Sequence, residues 1–409
     1  MNLLFYLLPA VMNITSGLFF FVSAKRMADS GASSYLVALT MTTWATFYAV
    51  TSWAAGYILT KRNATRVLLL SQAILLGALT GLACTASLPL QFLWLVGTGV
   101  GDALFFTAFQ VVIKLFGKEE KALEDMVRNS AVYTFSWSIG LAFGPFTAAF
   151  VWGLFDARSG WRYCYLIAIL IILFVTAGIL TLAQKVRHRL ADGAPPDALP
   201  ADAQASGGQP KLPDLMVAGW LLQGLGYIVV AMMRTYLPDY CTRELAMGTF
   251  HQGLVMGLVS FAQAFAGLAC CKARRWPYRP WTVGGVSLVA AAAFLLFACS
   301  AAWTLYAMAA ILLGIFSGVM CFTATFHALV NPTKSAKYVS VNETLVGVGS
   351  VVAPLLGGFL ASHCGVRSPF FACMLCLVLC ALLYGCFTWR TRRLGDERSA
   401  TCAGAVPRQ

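Results

Sequence analysis

A carboxylate at position 102 interrupts an otherwise apolar run of this 409-residue sequence, and its setting limits the chemistry available. Counted from residue 90, Asp102 falls about 12 residues, or roughly 18 Å, into a helix, which is near mid-bilayer if that helix spans. An ionised carboxylate at such depth costs ~2.5 to 3.5 kcal/mol on insertion scales, so it must face a wet cavity, pair with a base or hold a proton. Asp102 is therefore read as a titratable proton carrier or a substrate anchor, with a structural hydrogen bond to a neighbouring helix as the plainer alternative. The cations Lys25 and Arg26 end the first apolar run, and Arg234 stands 209 residues after Lys25, near the end of the seventh. Guanidinium offers a planar fork suited to phosphate, sulfonate or carboxylate; the plainer account lets Lys25 and Arg26 snorkel to headgroups. Gln110 and His327 sit at matched places in two similar runs, and Asn13 and Gln223 could hydrogen-bond a polar solute or join helices. Glu343 opens another run. Ion pairs with Lys114 or Arg128 across the halves could latch an outward-facing state, although a carboxylate at a helix N-terminus is also favoured for its own sake.

Enzymatic chemistry finds no purchase. Four histidines and 16 acids are too scattered to assemble a Ser-His-Asp, His-rich or paired-carboxylate constellation at one level. The 13 cysteines, Cys373, Cys376 and Cys380 among them, fall mostly in apolar runs, where a thiol packs as a small hydrophobe. No nucleotide-binding Gly-rich loop ending in Gly-Lys is present. No cofactor or metal is expected.

The elements that must position these residues are apolar stretches of membrane-spanning length. Crossing ~30 Å of hydrocarbon at 1.5 Å per residue takes roughly 20 residues, and a chain 59% hydrophobic and 11% charged is no soluble globule. Twelve stretches are predicted: 3–24, 35–59, 66–86, 90–114, 128–153 and 162–184, then 215–237, 249–271, 281–299, 303–329, 340–361 and 369–389. Met1 and Asn2 place no basic residue ahead of the first, and no small-residue cleavage site closes it. It is read as the first membrane helix.

The net charge of +13 is distributed by loop. Seven of the 29 basic residues lie on one side (Lys25, Arg26, Arg158, Arg162, Arg234, Arg243 and Arg367), and the rest follow even-numbered stretches or lie in the tail. By the positive-inside rule both termini and the central loop are expected in the cytoplasm, in a plasma (inner) membrane. The charge then orients the protein and calls for no nucleic acid partner.

Residues 185–214 are rich in Ala, Pro, Gly and Asp and read as a linker between an N-terminal bundle, 1–184, and a C-terminal bundle, 215–389, with a tail at 390–409. The bundles resemble each other at a shift near 210 residues. Gly97, Gly101, Phe105, Phe109 and Gln110 find echoes in Gly314, Gly318, Phe322, Phe326 and His327. Gly140, Gly144 and Pro145 match Gly349, Ala353 and Pro354. Gly56 and Lys61 match Gly267 and Lys272. Glycines four apart let backbones approach closely, and Pro145 distorts its helix because it cannot donate to the carbonyl four residues back. Duplicated six-helix halves mark secondary transporters.

Between the second and third runs, Gly56-Tyr-Ile-Leu-Thr-Lys61-Arg62-Asn63-Ala-Thr-Arg66 resembles the loop signature of the major facilitator superfamily. Thr60 stands where that family carries an acid; Lys61 and Arg62 keep its basic turn, and Asn63 replaces a turn glycine, as a residue that accepts left-handed dihedrals. The run from Gly140 to Pro145 is similar to the fifth-helix segment of the family's proton-coupled exporters. The placement of Lys25, Arg26 and Arg234 resembles its phosphate-ester exchangers, in which one cation from each half clamps an anion. The resemblance implies alternating access, a midplane site lined by helices 1, 4, 7 and 10, and no prosthetic group. The expectation is an all-α membrane protein, twelve transmembrane helices in two pseudo-symmetric six-helix bundles. It would act as a monomer and move a small polar, anionic organic solute by proton coupling or exchange. Export of amphipathic compounds and a non-cycling receptor or lipid-handling role are the alternatives.

Overall fold

A computed structural model describes residues 4–32, 34–60, 62–114, 122–155, 159–191, 215–247, 249–272, 279–330 and 334–404; Lys61 and residues 192–214 of the expected linker lie outside them. The described residues form twelve α-helices and no strand: α1 (Leu4–Asp29), α2 (Ser34–Ile58), α3 (Ala64–Cys84), α4 (Leu88–Lys114), α5 (Ala122–Leu154), α6 (Gly160–Ala191), α7 (Met216–Arg243), α8 (Thr249–Ala269), α9 (Pro280–Cys299), α10 (Trp303–Val330), α11 (Ser335–Cys364) and α12 (Ser368–Gly404). Among these residues ten helices are long and apolar enough to cross a membrane by length and composition. α2 falls short of that measure because Thr40, Thr42, Thr43, Thr46, Thr51 and Ser52 dilute it, and α8 contributes a shorter apolar stretch, Leu254–Ala269.

Helix ends move outward from the apolar runs wherever good helix formers adjoin them. α6 continues through Ala-Gln-Lys-Val-Arg to Ala191, and α12 runs on to Gly404, through most of the stretch expected as a tail. α11 begins at Ser335 rather than 340, so Glu343 lies in its third turn and not at its mouth. That removes the helix N-terminus as the reason for an acid there, since the dipole acts within the first turn. Pro145 and Pro354 both sit inside unbroken helices, α5 and α11.

The two halves repeat in their packing. Within the N-terminal half α1 packs on α5 and α6, α3 on α4 and α6, and α2 on α4; six helices later α7 packs on α11 and α12, α9 on α10 and α12, and α8 on α10. One core is built on Leu8, Leu75, Phe105, Phe109 and Tyr165, the other on Met232, Phe294, Phe316, Phe322 and Phe370. Phe105 stacks on Phe109 at 5.4 Å and Phe322 on Phe326 at 5.8 Å. The corners also correspond: Gly31 after α1 has φ +76°, and Ala246 after α7 has φ +46°, a left-handed setting that costs a side chain roughly 1 to 2 kcal/mol. Leu170, Phe150, Leu382 and Trp281 point outward, where lipid is the solvent.

The halves meet through α2 on α11 and α5 on α8, with α4 on α11 and α5 on α10 beside them. Small residues set these contacts. A Cβ on Gly347 of α11 would lie 2.7 Å from the Ala49 backbone of α2, and one on Gly56 would meet Ser340 at 2.9 Å. Gly267 of α8 faces Thr134 of α5 in the same way. Met126, Val127 and Ala131, at the start of α5, belong to the C-terminal core, so the halves are joined at the end where α4 and α10 finish and α5 and α11 begin. This is the linker end of the molecule.

Candidate functional site

Asp102 is enclosed within the N-terminal half. α4 carries it, Ser16 of α1 donates to its Oδ2 at 3.2 Å, and Trp44 Nε1 of α2 donates to the same oxygen at 3.1 Å. Oδ1 is buried with no hydrogen-bond partner, an unsatisfied acceptor of a kind that is uncommon in folded proteins. The close approach of α2 to α4 that this requires comes from Gly99, where a Cβ would stand 2.5 Å from the Trp44 carbonyl oxygen.

Trp44 leads to a second buried acid. Its ring lies 4.7 Å from that of Tyr48, one turn along α2. The Tyr48 hydroxyl donates to Oε2 of Glu343, and Gln110 Nε2 of α4 donates to Oε1. Gln110 Nε2 also reaches the Tyr133 hydroxyl of α5 at 3.2 Å. Glu343 belongs to the C-terminal half, and both donors come from the N-terminal half. Arg128, one of the two cations expected beside it, is exposed, and the side chain of the other, Lys114, lies outside the described residues.

Arg234 of α7, half-buried, donates from Nη2 to Gln263 Oε1 of α8 at 3.4 Å. Gln263 is fully buried and joins four helices: its Nε2 donates to Ser138 Oγ of α5 at 2.7 Å, and Ser317 Oγ of α10 donates to its Oε1 at 2.7 Å.

The other expected cations are held elsewhere. Arg26 is buried among N-terminal-half groups: Nη2 donates to the Thr85 and Ala86 carbonyls at 3.2 Å each, and the guanidinium lies 3.7 Å from the Trp161 ring centroid. Lys25 stands over Trp152 at 5.2 Å. These contacts of Lys25 and Arg26 lie within the N-terminal half, whereas Arg234 meets Gln263. Asn13 donates to the Trp137 carbonyl of α5 at 2.8 Å. Gln223 is buried with Oε1 unpartnered, and His327 is buried on α10 near Gly219 of α7.

The glycines mostly serve close packing. A Cβ on Gly140 would fall 1.9 Å from the Ala10 carbonyl oxygen, and one on Gly144 would fall 2.6 Å from Gly17 Cα, so this run of α5 is filled by α1. Gly349 meets Tyr227 and Ile228 of α7 equivalently. The glycine pairs of α4 and α10 do not correspond: Gly97 and Gly101 face α3, whereas Gly314 and Gly318 face α8. α4 carries glycines on two sides, and it is Gly99 that meets α2. In the loop after α2, Asn63 takes φ −100° rather than a left-handed value. Its side chain instead accepts from Thr60 N at 2.7 Å and donates to the Ile58 carbonyl at 2.7 Å, while Arg62 is exposed.

The sequence profile of the Major Facilitator Superfamily matches residues 4–270 and, in a second copy, 219–407. The chain belongs to that superfamily. Its members are membrane transporters rather than enzymes, and this protein is an integral membrane protein of that class. Solved structures agree on the fold. The human organic anion transporter MFSD10 (TETRAN) superposes with a TM-score of 0.69 over 93% of this chain and 98% of its own, at 14% identity. The proton:xylose symporter XylE, bound to 6-bromo-6-deoxy-D-glucose, gives 0.66 over 95% of each chain at 14% identity. The E. coli fucose:proton symporter FucP gives 0.65 over 93% of this chain and 97% of its own, again at 14% identity. No curated protein matches the chain by sequence.

Tyr48, Trp44 and Gln263 are the participants that sequence reasoning missed as site residues. An aromatic or a glutamine in a long apolar helix packs far more often than it binds. The signal in reach was their spacing: Trp44 and Tyr48 are one turn apart on the same α2 face, and Gln263 is the only uncharged amide in α8 outside its first turn.

Proposed function

We propose that this transporter carries a small polar organic anion by alternating access between its two halves, with coupling to protons or by exchange, and that Arg234 anchors the anion. The observation that carries this reading is the setting of Arg234: a half-buried guanidinium on α7, held from one side by Gln263. A fork with donors to spare is the natural partner of a carboxylate, sulfonate or phosphate. Because Gln263 also bonds Ser138 across the halves, an anion drawn to Arg234 acts where the two bundles meet. The organic-anion specificity of MFSD10 and the proton coupling of XylE and FucP support the same direction. Asp102 is proposed as a proton-carrying group on the strength of its buried, half-satisfied carboxyl. The linker and both termini are proposed to face the cytoplasm from the plasma membrane, on the distribution of basic residues, and the working unit is proposed to be the monomer.

Counterflow in proteoliposomes tests the reading, since accelerated exchange of labelled solute across a sealed membrane marks a carrier. Wild-type protein is expected to exchange organic anions, Arg234→Ala to lose that exchange while keeping its thermal transition, and Arg234→Lys to recover part of it. Undiminished exchange by Arg234→Ala would remove the anchor, and exchange of amphipathic cations instead of anions would favour the exporter.

A further inference from the structure

Glu343 is a carboxyl group of one half whose two oxygens are held by the other. Tyr48 of α2 donates to Oε2 and Gln110 of α4 to Oε1. The site is closed around it: Gly56 lies against Ser340 on the linker-end side, and Ala49 against Gly347 on the other. The helices packed on α11 are α2, α4, α7, α10 and α12. From these and from α5, the titratable groups that face Glu343 among the described residues are Tyr48, Tyr133, Tyr227 and Cys321, with the Arg234 guanidinium beyond the last two.

We propose that Glu343 is a proton-operated latch between the halves, with Tyr48 and Gln110 as its keepers. As a carboxylate it accepts from both donors and ties α11 to α2 and α4, holding the linker end shut. A proton taken from the aqueous space onto one carboxyl oxygen turns that oxygen into a donor, and the keepers respond unequally. The Tyr48 hydroxyl can rotate to accept. Gln110 Nε2 has no lone pair to offer, and turning the amide to present Oε1 would withdraw Nε2 from Tyr133. Protonated on Oε2, the carboxyl donates to Tyr48 and still accepts from Gln110 on Oε1, so neutralisation reverses one bond and strips the charge assistance from both, the kind of local charge change that biases a two-state element. Release of the proton when the linker end has opened restores the carboxylate and allows reclosure. The latch rests on the carrier reading above and adds to it a place where a proton is felt by both bundles at once.

The test is hydrogen–deuterium exchange of the full chain in nanodiscs at alkaline and at mildly acidic pH, each variant compared with wild type at the same pH. Wild type should protect the linker ends of α2 and α11 at alkaline pH and lose about fivefold of that protection on acidification, the effect of the lost charge assistance. Glu343→Gln should exchange fast at both. Tyr48→Phe keeps the carboxyl and removes one keeper, so it should be intermediate and still respond to pH. The proposal is overturned if wild-type protection ignores pH, if Glu343→Gln matches wild type at alkaline pH, or, should that variant fail to fold, if Tyr48→Phe is indistinguishable from wild type. If wild-type protein proves to move no organic anion in counterflow, the substrate reading falls alone, and the exchange measurement still decides the latch.

Discussion

Arg26 and Arg234 carry the same group and are held in opposite ways. Arg26 spends its guanidinium on two loop carbonyls and the face of Trp161, so its loss should be felt as stability. Arg26→Ala is expected to cost about 3 kcal/mol, from cation–π contact and charge-assisted bonds, read as a lower apparent Tm. Arg26→Lys should recover only part, because an ammonium can reach the carbonyls but has no planar face to lay on Trp161. Asp102 is suited to a cleaner replacement. Asparagine can turn its oxygen toward Ser16 and Trp44 and leave its amino group where Oδ1 finds no partner. Asp102→Asn should therefore keep the thermal transition and flatten the pH profile of transport; an unchanged profile would take Asp102 out of the proton path.

At the level of elements, glycine decides which helices touch. The α1–α5 pair is the tightest example, since Gly140 and Gly144 face backbone atoms of α1 that cannot rotate away. Gly140→Ala should destabilise by about 3 kcal/mol or more as the helices are forced apart. Gly153→Ala, on the same helix, meets nothing within 4 Å and is expected to leave the midpoint of thermal unfolding unchanged. An equal response from both would mean that α5 is governed by propensity and not by its contact with α1.

For the whole molecule, the decisive surface is the one between the bundles, because alternating access needs it to close and open without disturbing either core. Gly347 lies buried on that surface against the Ala49 backbone. Gly347→Val should wedge α11 from α2, reducing solute exchange to near background while the helical circular-dichroism signal persists. If exchange continues at the wild-type rate, α2 and α11 do not need this contact during the cycle. The repeat that the sequence displays is in the packing as well, with α2 on α11 mirrored by α5 on α8.

Apolar runs long enough to span, glycines and prolines in matching order, and a loop resembling a family signature were legible in the sequence, because each is written in local composition and fixed by the solvent a membrane protein meets. Asp102 was legible for the same reason: a charge in an apolar run is conspicuous wherever it points. The partners of Glu343 were not legible, because they depend on a helix start displaced to Ser335 and on donors 295 and 233 residues away. Lys25 and Arg26 were placed by counting along a repeat, but the direction of a long flexible side chain is set by neighbours such as Trp152 and Trp161 rather than by its index. Local chemistry chose the elements and the solvent; only the tertiary packing decided which half holds each acid, since a hydrogen bond between helices depends on faces brought together by contacts far apart in the chain.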